Sequence, residues 1–405
     1  MWLYAGYISA VRPKIEWNIF IVLAKPSTGR TVALQVSDKL DYRVRYSCCQ
    51  EESGSYVKMR AVSLFSGAGG LDLGFERAGF RIVYANEQDS NSAETWKINR
   101  PDDVDAMHVG DLQTFYEDIL ALKNIDIVFG GPPCQGFSVA GKMRVDDPRN
   151  KMIDAFVSVV LAIKPTVFLM ENVKALAKNN KWSFIKNKVI SEFTSAGYEV
   201  SMNVLNAADF GVPERRERMI LVGVRGANGV PNILDALQSY RHKAPNLRKT
   251  LSKVGKFAST SNPSTCTAKV TLAKKPVLRN SAYSGMLVNG SGRPLKLDAY
   301  SPTLTASMGG NRTPIIDQCA LENADKANWF ESLFDEIQRI GRMPQWDVPD
   351  FIRRLTICEA SEIQTFPRQY KFVGPITSQY RQIGNAVPCR FATAIAEAIK
   401  CSFFS

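Results

Sequence analysis

Cys134 is the side chain best placed to do chemistry in this sequence. It lies in Gly-Gly-Pro-Pro-Cys-Gln-Gly-Phe-Ser (130–138), directly after the apolar run Ile125-Asp126-Ile127-Val128-Phe129. Two prolines fix φ and remove two amide donors, while the flanking glycines allow close backbone approach. The thiol is therefore expected on a stiff turn at the carboxyl end of a buried strand, the edge where ligands collect in an open α/β sheet. A cysteine so held can act as a nucleophile, or it can be a small buried apolar residue. Glu171, in Glu171-Asn172-Val173 just after a fifth apolar segment, is expected to project to the same edge. A thiol and a carboxyl facing one pocket suit nucleophilic addition assisted by an acid. In Glu214-Arg215-Arg216-Glu217-Arg218, alternation places Arg216 and Arg218 on one face. They can aim guanidinium groups at phosphate or a base carbonyl, or form a surface ion-pair cluster with Glu214 and Glu217.

A second constellation suits a nucleoside. The turn Phe65-Ser66-Gly67-Ala68-Gly69-Gly70-Leu71-Asp72 is glycine-rich and opens a helix, but Asp72 stands where a dinucleotide fingerprint has its third glycine. Glu87 ends the next strand, where an acid accepts from ribose hydroxyls. Asp111, in Gly110-Asp111-Leu112, is placed to accept from an adenine amino group. One glycine turn and two strand-end acids point to an adenosine-containing cofactor without a pyrophosphate. Either acid is also an ordinary candidate for a helix N-cap.

These residues need a scaffold that ends several strands together. Segments 61–65, 80–85, 106–109, 125–129 and 166–170 read as strands, with helices opening after the glycine turn, over 91–99 and over 151–163. That rhythm predicts a doubly wound, mostly parallel α/β sheet, closed by a strand pair over 198–205 and 219–224. Residues 241–279 hold ten Lys/Arg and no Asp or Glu, read as a surface that tracks phosphates rather than a merely solvated stretch. Segment 301–312 is read as a loop able to approach a nucleic-acid groove, or, at Gly309-Gly310-Asn311, as an ordinary turn. An apolar helix is expected over 390–399. In 1–58, short β-like runs are expected at 17–24, 31–36 and 42–46, with no catalytic constellation. The chain thus divides into an N-terminal β-rich extension (1–58), an α/β domain (59–230), a basic region (231–375) and a C-terminal segment (376–405).

Composition narrows the classes. The chain has 405 residues, 45% hydrophobic, and a formal net charge of +12, which favours a polyanionic partner. There is no run of about 18 apolar residues and no basic-then-apolar leader, so no membrane partner is expected. Eight cysteines without a C-x-x-C pair and only two histidines argue against a metal and for a reducing, cytoplasmic setting.

In order, segments 65–70, Glu87, Asp111, 130–138, 171–173, 212–218, 354–367 and 379–388 resemble the DNA (cytosine-5)-methyltransferases, with Arg-Gln-Ile-Gly-Asn-Ala-Val-Pro (381–388) among the most specific matches. The resemblance spans residues 60–390 and is like that of bacterial restriction-modification methylases. It implies a Rossmann-like S-adenosyl-L-methionine-dependent catalytic domain (59–230), a smaller target-recognition domain (231–375) and a C-terminal segment (376–405) returning to the catalytic domain, with double-stranded DNA as partner and a monomer. It further implies that Phe65, Gly67, Gly69, Glu87, Asp111, Leu112, Pro133, Met152, Asn385 and Val387 line the S-adenosyl-L-methionine site. Cys134 would attack C6 of a flipped cytosine, Glu171 would engage N3, and Arg218 would contact O2 with Arg216 beside it. Glu214 departs from the family's usual Gln at that place and is expected to pair with Arg215 or to alter local packing. Two other readings are a DNA-binding protein with a dead methyltransferase fold and a tRNA cytosine methyltransferase. The presence of both Cys134 and Glu171 argues against the first, and the long basic segment against the second.

Overall fold

The structure, a computed structural model, describes residues 58–133 and 151–404. Within the separate unit Met1–Val57 it describes only an antiparallel pair, Ala5–Gly6 with Ile21–Val22. The β-like runs expected at 31–36 and 42–46 lie outside the described residues, as does most of 17–24.

The second unit, Lys58–Ser405, is built on seven strands. They are β1 (Arg60–Leu64), β2 (Arg81–Glu87), β3 (Met107–Val109), β4 (Ile127–Gly130), β5 (Val167–Val173), β6 (Tyr198–Asn206) and β7 (Glu217–Arg225). Their order is β3-β2-β1-β4-β5-β7-β6, with the first five parallel and β7 inserted antiparallel to both neighbours. The expected doubly wound sheet is what forms.

Both faces are covered, so the strand segments read as apolar runs rather than alternations. Along β4, Ile127 and Phe129 enter one core and Val128 the other. The first core also takes Phe75 from α1 (Gly70–Arg77) and Phe391 from the C-terminal helix Cys389–Phe403. The second takes Phe156 from Lys151–Ile163 and Phe193 from Ser183–Ser195. The helix expected over 151–163 spans those residues.

Two backbone registers matter for function. The strand order reverses between β1 and β4, and Leu64 pairs with Gly130, so the glycine turn and the Pro-Pro turn leave adjacent strand ends. Gly130 in turn pairs with Met170. β5 does not stop at Met170, where the apolar run suggests, but continues to Val173. Its antiparallel neighbour continues the ladder, pairing Ile220 with Glu171, Met219 with Asn172 and Arg218 with Val173. Glu171 is thus fixed within a strand instead of following one.

The chain then leaves the sheet and forms smaller apolar clusters, one around Leu247, Leu295, Leu304, Leu355 and Ile383. It returns through Ile376–Asn385 to the helix Cys389–Phe403, which packs on α1. At that crossing a Cβ on Gly74 would lie 2.4 Å from the Cβ of Ala392. Gly74→Ala is expected to cost about 1–3 kcal/mol by overpacking, readable as a lower urea midpoint with unchanged slope.

Candidate active site

The glycine turn holds three left-handed residues, Phe65 (φ 56°), Gly67 (φ 55°) and Gly69 (φ 80°). A phenylalanine in that region is strained, and such strain concentrates at ligand clamps. The Gly67 amide donates to Glu87 Oε2 at 2.8 Å, and the Asp89 amide donates to Glu87 Oε1 at 2.8 Å. Burial pushes the Glu87 carboxyl up, while those two amides hold it down. Each carboxylate oxygen keeps a second lone pair for a hydroxyl donor. Nothing lies within 4 Å of where a Gly67 Cβ would stand, so the turn opens onto free space before Glu87.

Asp111 takes the bland role open to it as well. It is exposed and caps the short helix Leu112–Phe115, accepting from the Gln113 amide at 3.0 Å. Leu112 is buried beside a cavity of about 600 Å³ that Gln113, Tyr116, Lys151 and Asp154 also line. Met152, half-buried, is in the same first turn of the 151–163 helix. From the other end of the chain comes the segment of Asn385, which is exposed, and Val387, which is buried. A Cβ on Gly70 would lie 2.5 Å from the Val387 carbonyl oxygen, so only glycine admits this close approach to α1.

Asp72, one turn into α1, is fully buried and accepts from Trp96 Nε1 at 2.9 Å. Burial raises its carboxyl to about 6, opposed in part by Arg100. A folded value raised above the unfolded one gives stability that is complete below about pH 4 and lost as pH rises through about 6. Asp72→Asn is expected to remove that loss. Urea denaturation should find it up to about 3 kcal/mol more stable than wild type at pH 7.5, with the difference vanishing near pH 4.

The third group stands at the β4–β5 edge. Glu171 Oε1 pairs with Arg218 Nε at 2.8 Å, with the side chains 12% and 13% exposed. A Cβ on Gly131 would be 3.0 Å from Glu171 Oε2, so this carboxyl lies against the start of the Pro-Pro turn. Asn172, buried, donates from Nδ2 to the Pro132 carbonyl at 3.2 Å and anchors that turn. Sequence reasoning gave Asn172 no role; its place beside Glu171 was the only signal. Pro133, half-buried, is the last described residue of the turn, and Cys134 lies outside the described residues.

Arg216 corrects the expectation drawn from alternation. It is 1% exposed, and its guanidinium donates to the carbonyls of Leu304 and Gly384, each at 2.9 Å. Glu214, also buried, lies 3.5 Å from Arg216 Nη1 and accepts from the Leu304 amide. Burial, with Arg218 nearby, pushes Arg216 down to about 10, which leaves it charged at pH 7. Arg216 is therefore committed to tying segments 304 and 384 to the sheet and is not free to meet a phosphate or base. Glu214 pairs with Arg216, not Arg215, and Glu217 pairs with Lys174 at the surface. The loop that includes 301–304 is held by the same knot, with Ser301–Pro302 paired to Glu214–Arg215.

Among the described residues no helix is long and apolar enough to cross a membrane. Among them, too, no group of three His, Cys, Asp or Glu side chains is placed to hold a metal ion.

The chain is similar to known proteins in sequence and in fold. Residues 59–401 match the family described as C-5 cytosine-specific DNA methylase. The Type II methyltransferase M1.HphI of Haemophilus parahaemolyticus is 31% identical over 352 residues, covering 85% of this chain and 87% of the relative. The Type II methyltransferase M.FnuDI of Fusobacterium nucleatum is 32% identical, covering 84% and 94%. In fold, the chain is similar to the Entamoeba histolytica methyltransferase EhMeth, with TM-score 0.60 at 16% identity, covering 85% of this chain and 98% of that one. It is likewise similar to the Schizosaccharomyces pombe Dnmt2 methyltransferase, with TM-score 0.56 at 17% identity and the same coverage.

Proposed function

Because the chain belongs to the C-5 cytosine-specific DNA methylase family, we propose that it methylates C5 of a flipped cytosine in a specific duplex DNA sequence through a covalent Cys134 adduct. The observation that carries this reading is the Glu171–Arg218 pair against Gly131. N3 and O2 are adjacent atoms on one edge of cytosine. A carboxyl and a guanidinium 2.8 Å apart match that edge, with the cysteine turn beginning beside them.

C5 of cytosine is a poor nucleophile. Addition of the Cys134 thiolate to C6 drives electron density toward N3 and C5, and Glu171 meets the change at N3 as hydrogen-bond partner or proton donor. Arg218 holds O2, and Asn172 keeps the turn in place through Pro132. Once C5 carries the transferred methyl group, loss of its proton breaks the C6–S bond and returns the Cys134 thiolate. A free thiol, with a pKa of about 8.5, is only a few per cent ionised at neutral pH, so its surroundings must favour the thiolate. These atoms cannot be reached inside a stacked duplex, and extruding the base costs roughly a few kcal/mol. Phosphate contacts offset that cost, and Lys243, Lys249, Lys253, Lys256 and Lys269 are exposed for them.

The glycine turn fits an adenosine-bearing methyl donor: open space before Gly67, a half-buried Glu87 carboxylate beyond it and the Val387 segment alongside. S-Adenosyl-L-methionine, when bound, supplies an electrophilic methyl group on a sulfonium. Phe65, Gly67, Gly69, Glu87, Leu112, Pro133, Met152, Asn385 and Val387 would hold it, with Asp111 at the adenine. The relatives' names make the modification arm of a restriction system the setting we favour. The purified protein should transfer labelled methyl from S-adenosyl-L-methionine to duplex DNA and not to tRNA. Transfer to tRNA alone would overturn the substrate assignment.

A further inference from the structure

We propose that Arg100 and Tyr370 are positioning residues for the methyl donor, fixing from behind the turn that holds it. The proposal rests on the cofactor reading above. Arg100 follows the helix Ser90–Ile98, and its side chain is 5% exposed. The guanidinium lies over the Trp96 ring, 4.5 Å from the centroid. It donates from Nη2 to the Gly69 carbonyl at 3.3 Å, from Nη1 to the Tyr370 hydroxyl at 3.1 Å, and from Nε and Nη2 to Glu76. The Tyr370 hydroxyl in turn donates to the Ala68 carbonyl.

Two consecutive carbonyls of the turn are thus drawn back into the protein, at Ala68 and Gly69. With both held there, the Gly67 amide is left to meet Glu87, and the front of the turn stays open. A Cβ on Gly69 would lie 2.8 Å from Arg100 Nη1, so the guanidinium takes the space a side chain would need. Tyr370 lies 302 positions beyond Ala68 in the chain. Its ring is fixed by Phe366 and Phe372, at 4.9 and 5.5 Å between centroids, in the cluster that includes Ala386. The segment that brings Val387 to α1 therefore also sets the turn's carbonyls.

Two conservative variants separate positioning from bulk. Tyr370→Phe keeps the ring and removes one donor. Arg100→Lys keeps the charge, but a single ammonium cannot serve Gly69, Glu76 and Tyr370 together. Tyr380→Phe is the matched control, since that buried hydroxyl donates to the Leu355 carbonyl, away from the turn. Calorimetric titration of the DNA-free full chain with S-adenosyl-L-methionine should show Kd raised about five- to tenfold in Tyr370→Phe and about ten- to a hundredfold in Arg100→Lys. Tyr380→Phe should stay within about twofold of wild type. In turnover, KM for the donor should rise while kcat at saturating donor and KM for DNA hold. Wild-type protein that does not bind the donor would refute the cofactor reading itself. Wild-type binding with unchanged Kd in both turn variants, or an equal loss in Tyr380→Phe, would overturn the positioning role.

Discussion

Cys134→Ser is expected to lower methyl transfer by about 10⁴-fold or more while donor binding stays within about twofold of wild type, since only one atom of the turn changes. A thiol near neutral pH has a usable thiolate fraction, whereas a serine hydroxyl needs a general base beside it. The carboxyl placed against this turn, Glu171, is already paired with Arg218. The start of the turn is held by a contact the substitution leaves alone, Asn172 to Pro132. Single-turnover transfer, measured alongside donor titration, reads both halves. Loss of donor binding together with activity would mean that the turn had collapsed and would not support a nucleophile.

Glu214→Ala is expected to destabilise the fold by about 2–4 kcal/mol, because it leaves a buried backbone amide without its acceptor and a cavity where the side chain stood. The substitution removes the oxygen that accepts from the Leu304 amide and from Arg216 Nη1, whereas glutamine keeps an oxygen there. Glu214→Gln should stay within about 1 kcal/mol, since an amide oxygen still accepts from Leu304 and the carbonyls of Leu304 and Gly384 still serve Arg216. Urea unfolding of both variants checks this. The physical content is that Glu214 acts through a local hydrogen-bond geometry that an amide can reproduce. A glutamine variant as unstable as the alanine one would show instead that the carboxylate charge is required.

The sheet was legible because its strands are buried on both faces. Ile125–Phe129 and the helix Lys151–Ile163 announce themselves by apolar runs and spacing alone. Contacts between distant segments were not legible. β5 runs on through Val173 only because β7 lies beside it, and nothing in Glu171-Asn172-Val173 shows that neighbour. Arg216 and Arg218 share a face by alternation, yet one meets Glu171 and the other is sealed under segments 88 and 168 positions away. Asp72 reads as the residue that spoils a dinucleotide fingerprint. Its burial against Trp96 depends on how α1 meets the next helix.

Methylation through Cys134 is read out by bisulfite sequencing of DNA from cells expressing the wild-type chain or its Cys134→Ser variant. Cytosines protected from conversion are expected at every copy of one short sequence in the wild-type sample and at none in the variant sample. Full conversion in both samples, or the same protected sequence in the Cys134→Ser sample, would contradict methylation through Cys134.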